Sequence, residues 1–185
     1  MNILHQRVSG PPPVPPQKET PVLEEDKLKI STKDLALTIV FASLYAALVY
    51  INIPLSYSSF QFRIAGVLRP AIGKKWILAF GYAIGVVAAN VFSPFGAFDL
   101  VFMPIVSLIA GIAGYLVAKK FDGNYFVTGA IIALIVPLSV SWMLLQTQGV
   151  PMIATFPYLF AAEQIVCLIG ALIFKAIDLR FKWWK

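Results

Sequence analysis

Arg63-Ile-Ala-Gly-Val-Leu-Arg-Pro-Ala-Ile-Gly-Lys74 is the stretch that decides how often this chain crosses a membrane. It is mostly apolar, but it falls short of the roughly 20 residues that one transmembrane helix requires, and Arg69 and Pro70 interrupt it. Five longer apolar blocks flank it, at residues 34–53, 75–92, 99–118, 125–146 and 157–177. Thr32 or Asp34 is the expected cap of the first block and Pro54 its stop. Lys74 and Lys75, Lys119 and Lys120, then Lys175, Arg180, Lys182 and Lys185 are separated by helical hairpins and so belong to one face. Lys27, Lys29 and Lys33 share that face if cytoplasmic loops carry the Lys and Arg excess. An even number of crossings must therefore precede Lys74, which makes the short stretch a crossing in its own right. Of the ten Lys and Arg beyond the tail, only Arg63 then falls on the outer side. The expected architecture is an all-α integral membrane protein of six transmembrane helices, both termini cytoplasmic, with a short irregular second helix that includes Tyr57-Ser-Ser-Phe-Gln-Phe62.

The composition agrees. Of 185 residues, 59% are hydrophobic and 13% charged, against about 25% charged in a soluble domain, and the mean hydropathy is +0.80. Such a chain cannot coat a globule with water-compatible side chains, so a multi-pass cell-membrane protein is expected. Residues 1–33 differ: Ser9-Gly-Pro-Pro-Pro-Val-Pro-Pro16 and Glu24-Glu-Asp-Lys-Leu-Lys29 have little to bury. They read as a disordered cytoplasmic tail preceding a membrane domain at 34–185. The first apolar block starts near Leu35, so no cleavable secretory signal is expected. The net charge of +6 is explained by topology without invoking nucleic acid.

Polar residues within apolar spans are costly and tend to be functional. On this topology Asn52, Gln61, Arg63, Asn90, Asp99, Trp142, Gln146 and Glu163 fall in the outer third, and the inner halves carry no comparable set. This pattern describes an outward-facing pocket with no path through. Each member also has a plainer reading. Arg63 can snorkel to headgroups or pair with Glu163, Asp99 can cap the fourth helix, and Trp142 can anchor at the interface. A flat, polar ligand would suit the amides and carboxylates, with Trp142, Tyr57, Phe60, Phe62, Phe95 or Phe98 to stack on it. Ala42 and Ala46 form a small-xxx-small pattern that permits close helix approach, within the chain or to a partner.

Other chemistries lose their ingredients. His5 lies in the tail and Cys167 is the only cysteine, in an apolar run, so His- and thiolate-based metal, haem and triad sites are not expected. No Gly-x-x-x-x-Gly-Lys-Ser/Thr loop is present. The expectation is no catalysis, no cofactor and an external energy source. A self-contained ion-coupled carrier is the alternative. A membrane enzyme using Asp99 and Glu163 as acid and base lacks a supporting spacing.

Phe60-Gln-Phe-Arg-Ile64 and, one helix later, Ala89-Asn-Val-Phe-Ser-Pro-Phe-Gly-Ala-Phe-Asp-Leu-Val-Phe102 resemble the QueT family of queuosine-precursor transporters. The resemblance spans about 34–178 in layout and is at the level of motifs over about 60–105. It implies a substrate-binding S component of an energy-coupling-factor (ECF) importer, working with a transmembrane coupling subunit and a pair of cytoplasmic ATPases. Gln61, Arg63, Asn90, Asp99, Trp142, Gln146 and Glu163 would contact the small-molecule substrate, and Ala42 and Ala46 would face the coupling subunit. In the family pattern a Glu follows the Arg by three residues. This chain has Gly66 there, so either Glu163 substitutes or the ligand differs.

Overall fold

A computed structural model describes residues 30–53 and 63–185, and the compact unit is Ser31–Lys185. The Pro-rich tail and the stretch holding Tyr57, Phe60, Gln61 and Phe62 lie outside the described residues. Among the described residues all regular structure is helical: α1 (Thr32–Ile51), a 3₁₀ segment (Ile64–Lys74), α2 (Leu78–Asn90), α3 (Phe98–Lys119), α4 (Tyr125–Gln148) and α5 (Met152–Arg180). Of these, α1, α3, α4 and α5 are long and apolar enough to cross a membrane, and α2 is a shorter apolar helix.

The helix ends follow local chemistry. Ser31, with extended backbone, caps α1 in place of the expected Thr32 or Asp34. Its Oγ accepts the Asp34 N–H at 3.1 Å, and the Asp34 carboxylate accepts the Ser31 N–H at 3.2 Å. This reciprocal box needs the cap three residues before the acid, which Ser31 alone satisfies. Helix α5 starts at Met152 and runs through Pro157, earlier than its expected start at that proline. Proline's fixed φ is itself helical, and near a helix start it removes little hydrogen bonding. Asn124 caps α4 by accepting from the N–H groups of Phe126 and Val127.

The short second segment is the centre of the bundle. It touches all five helices and buries Ala65, Leu68, Arg69, Ala71 and Ile72. Gly66, Pro70 and Gly73 disfavour an α-helix here. As a 3₁₀ helix its 11 residues reach about 22 Å, where an α-helix would reach about 17 Å. The tighter winding thus lengthens a segment too short to match its neighbours. Bare backbone faces bring those neighbours close: a Cβ on Gly170 of α5 would meet the Val67 carbonyl oxygen at 2.0 Å, and one on Gly73 would meet Thr128 Oγ1 at 2.1 Å.

Basic residues collect at one end. Lys75 pairs with Asp34 in the first turn of α1, and Lys33 donates to the backbone carbonyl of Lys185. Lys74 Nζ donates to the Asp122 carbonyl at 2.8 Å and lies 5.4 Å from the centre of the Trp184 ring. Helix α1 therefore leaves this end and the 3₁₀ segment comes back to it, as the charge count requires. Arg69 is the exception: counted with the basic face from sequence, it is buried at 1% exposure, five positions before Lys74.

Candidate functional site

Two arginines belong to the central segment and its approach. Arg63 precedes its first turn and Arg69 lies within it. The Arg69 guanidinium pairs with the Glu163 carboxylate of α5, and its Nη2 donates to Tyr45 Oη of α1 at 3.3 Å. Its central carbon lies 5.3 Å from the centre of the Tyr82 ring on α2, within cation–π range. Tyr45 and Tyr82 meet edge to face at 5.2 Å. A buried guanidinium is tolerable only with its charge matched; here three helices supply partners for the charge and for both Nη atoms, while Nε is buried without a hydrogen bond among the described residues.

The second arginine builds a second cluster. Arg63 Nη2 lies 3.3 Å from Asp99 Oδ2. Ser93 Oγ donates to that same oxygen, and Asn90 Nδ2 donates to the Asp99 backbone carbonyl at 2.7 Å. Asp99 is fully buried in a single π-helical turn, Phe98–Phe102, closed by the Met103 N–H on the Phe98 carbonyl. Such turns recur at functional sites. Asp99 Oδ1 and Asn90 Oδ1 are buried without a hydrogen-bond partner among the described residues. Each is an acceptor that calls for a donor, whether water or ligand.

Arg63, Arg69 and Glu163 line one cavity with Tyr45, Tyr82 and Ser107. It measures about 10 Å³, room for roughly one water. A ligand larger than water requires the walls of this cavity to part. Glu163 lies 11 residues beyond Met152, about 17 Å along α5. Glu163 is joined there by Arg69, Tyr45 and Tyr82, which complete a buried polar set.

The sequence-derived candidates divide four ways. Arg63, Asn90, Asp99 and Glu163 converge, but the pairing is crossed: Arg63 meets Asp99 and Glu163 meets Arg69, not Arg63. Trp142 is 39% exposed and packs on Phe102 and Phe98 at 5.2 and 6.2 Å, and Gln146 is exposed one turn further along α4. Neither lines the cavity. Gln61 lies outside the described residues. Ala42 and Ala46 are 8% exposed, and α2 fits against this face of α1: a Cβ on Gly85 would meet the Ala42 carbonyl at 2.9 Å. The small-residue face is used inside the chain and leaves little surface for a partner.

Sequence reasoning missed Arg69, Ser93, Tyr45 and Tyr82. Arg69 carried the signal, an ionisable residue inside an apolar segment. The tyrosines did not, because a Tyr in an apolar helix has no local mark of what its hydroxyl will meet. Among the described residues no three His, Cys, Asp or Glu side chains are grouped to hold a metal.

A family model described as QueT transporter matches residues 35–179. No curated protein and no solved structure matches the chain.

Proposed function

This chain belongs to the QueT transporter family, and from that premise we propose that it is the substrate-capture S component of an ECF-type importer, taking up a queuosine precursor or similar vitamin-like molecule. The family is one of transporters, not enzymes, so the chain is a multi-pass membrane protein that moves a small molecule. The observation that carries the finer reading is one cavity walled by several helices and lined by Arg63, Arg69 and Glu163, with Glu163 paired to Arg69 and Asp99 paired to Arg63. Guanidinium, carboxylate and amide groups side by side can match both donors and acceptors on the edge of a flat heterocycle, and the tyrosines offer ring faces. Arg63, Asn90, Asp99 and Glu163 are the proposed contacts from the sequence set, with Arg69, Tyr45 and Tyr82 added from the cavity wall; Gln61, Trp142 and Gln146 stand as contacts proposed from the sequence alone.

On this reading the basic end is cytoplasmic and the chain makes six crossings, the 3₁₀ segment being the second. The energy comes from partner ATPases through a coupling subunit. Purified protein should bind its ligand at one per chain by calorimetry in the absence of sodium and of a proton gradient, and uptake into liposomes should require ATP and the partner subunits. Uptake by the isolated chain under an ion gradient would instead make it a self-contained carrier, for which the buried Glu163 is the obvious coupling group.

A further inference from the structure

We infer that the basic end carries a binding site for the phosphate of an anionic phospholipid headgroup, in the groove between the α3–α4 turn and the end of α5. The groove has a volume of about 420 Å³. Three lysines border it: Lys74 at the end of the 3₁₀ segment, Lys175 five residues before the end of α5, and Lys182 just beyond that end. The start of α4 also borders it through Asn124, Tyr125 and Phe126, which brings the positive end of a 24-residue helix to the same place.

The lysines are positioned, not merely numerous. Lys74 is held by the Asp122 carbonyl and lies 5.2 Å over the Tyr125 ring, while Lys175 lies 5.5 Å over that of Phe126. A second recess, about 250 Å³, continues on the far side of Lys74 past Lys119 to Trp184. Two acidic residues also border the main groove, Asp122 and Asp178. Asp178 is already engaged by Lys182 at 3.4 Å and by Trp184 Nε1 at 2.6 Å. Around the groove, the end of the bundle as a whole carries nine Lys and Arg (33, 74, 75, 119, 120, 175, 180, 182, 185) against three Asp (34, 122, 178).

The chemistry of this wall is that of the membrane surface. Lysines match a phosphate as point charges, Tyr and Trp settle at headgroup depth, and the apolar flank of α5 beside the groove suits acyl chains. Basic pockets between membrane helices are known to take anionic headgroups. A site of this kind would bear on the transport site, because Lys74 and Arg69 belong to the same 3₁₀ segment.

The test uses the full chain in detergent micelles doped with phosphatidylglycerol or phosphatidylcholine, read by lipid adducts in native mass spectrometry and by the thermal unfolding midpoint. Phosphatidylglycerol should stay bound to the wild type and raise its midpoint, and phosphatidylcholine should do neither. The double variant Lys175→Gln/Lys182→Gln, both exposed, should bind phosphatidylglycerol about 30-fold more weakly, the expected cost of two surface charges, with an unchanged midpoint in phosphatidylcholine. Lys33→Gln/Lys120→Gln, at the same end but outside the groove, should keep most of the affinity. Equal losses in the two double variants would reduce the effect to diffuse charge and overturn the site. An equal stabilisation by inorganic phosphate alone would overturn the lipid assignment.

Discussion

Arg69 and Glu163 lie 94 residues apart in the chain and form an ion pair whose side chains are 1% and 10% exposed. The pair ties the central 3₁₀ segment to α5 and forms part of the cavity wall. It is therefore both a structural contact and the part of the proposed site that a ligand must share or displace.

Glu163→Ala leaves a buried guanidinium without its carboxylate and should cost about 3–5 kcal/mol of stability. Arg69→Met/Glu163→Met removes both charges and should regain most of that loss, while ligand binding is abolished. Thermal unfolding in detergent beside calorimetric binding separates the two effects. A double variant as unstable as Glu163→Ala would show that the charges are not the cause.

Asp99→Asn keeps the side-chain shape and one acceptor oxygen for the Ser93 hydroxyl, but removes the negative charge facing Arg63. Ligand affinity should fall about tenfold or more, in line with the 1.5–3 kcal/mol of a charged hydrogen bond. Titration of the small molecule that co-purifies with the protein measures this. Wild-type affinity in the variant would remove Asp99 from the proposed site.

Gly170→Ala should destabilise strongly, because the new methyl would meet the Val67 backbone oxygen, which cannot move aside like a side chain. Gly96→Ala is the contrast. Gly96 has open space around it and only a positive φ of 59°, so its cost should stay near 1 kcal/mol. Unfolding midpoints of the two variants should separate clearly, and equal midpoints would mean that the 3₁₀ segment does not rest on α5 as closely as described.

Cysteine labelling tests the direction of insertion. Cys167 is buried at 2% exposure, so the background is silent. With α4 running from Tyr125 near the basic end to Gln148, Gln148→Cys should react with a membrane-impermeant maleimide on intact cells. Lys182→Cys should react only after permeabilisation. The opposite pattern would invert the protein and place the proposed mouth on the wrong side.

Several elements were legible before any coordinates. The apolar blocks at 99–118 and 125–146 correspond to α3 and α4 within two residues at each end, since long runs of apolar side chains between charged turns admit little else. The return of the chain at Lys74 was legible from charge alone. Arg63, Asn90 and Asp99 were drawn together by the cost of burying polar groups, and the structure joins them. Trp142 and Gln146 were not separable from these by composition, because a polar residue near a helix end can face the bundle or its outside.

The linear chain sufficed for the number of apolar segments, their polarity and the clustering of Lys and Arg, because each of these reflects a transfer free energy that a residue carries wherever it sits. The partners of Arg63 and Arg69 were beyond it. Those depend on the 3₁₀ rise of the central segment, on the π turn that holds Asp99, and on the close approach that Gly73 and Gly170 permit. A shift of one 3₁₀ residue is about 2 Å, more than a hydrogen bond tolerates, and no local pattern in the chain encodes that distance.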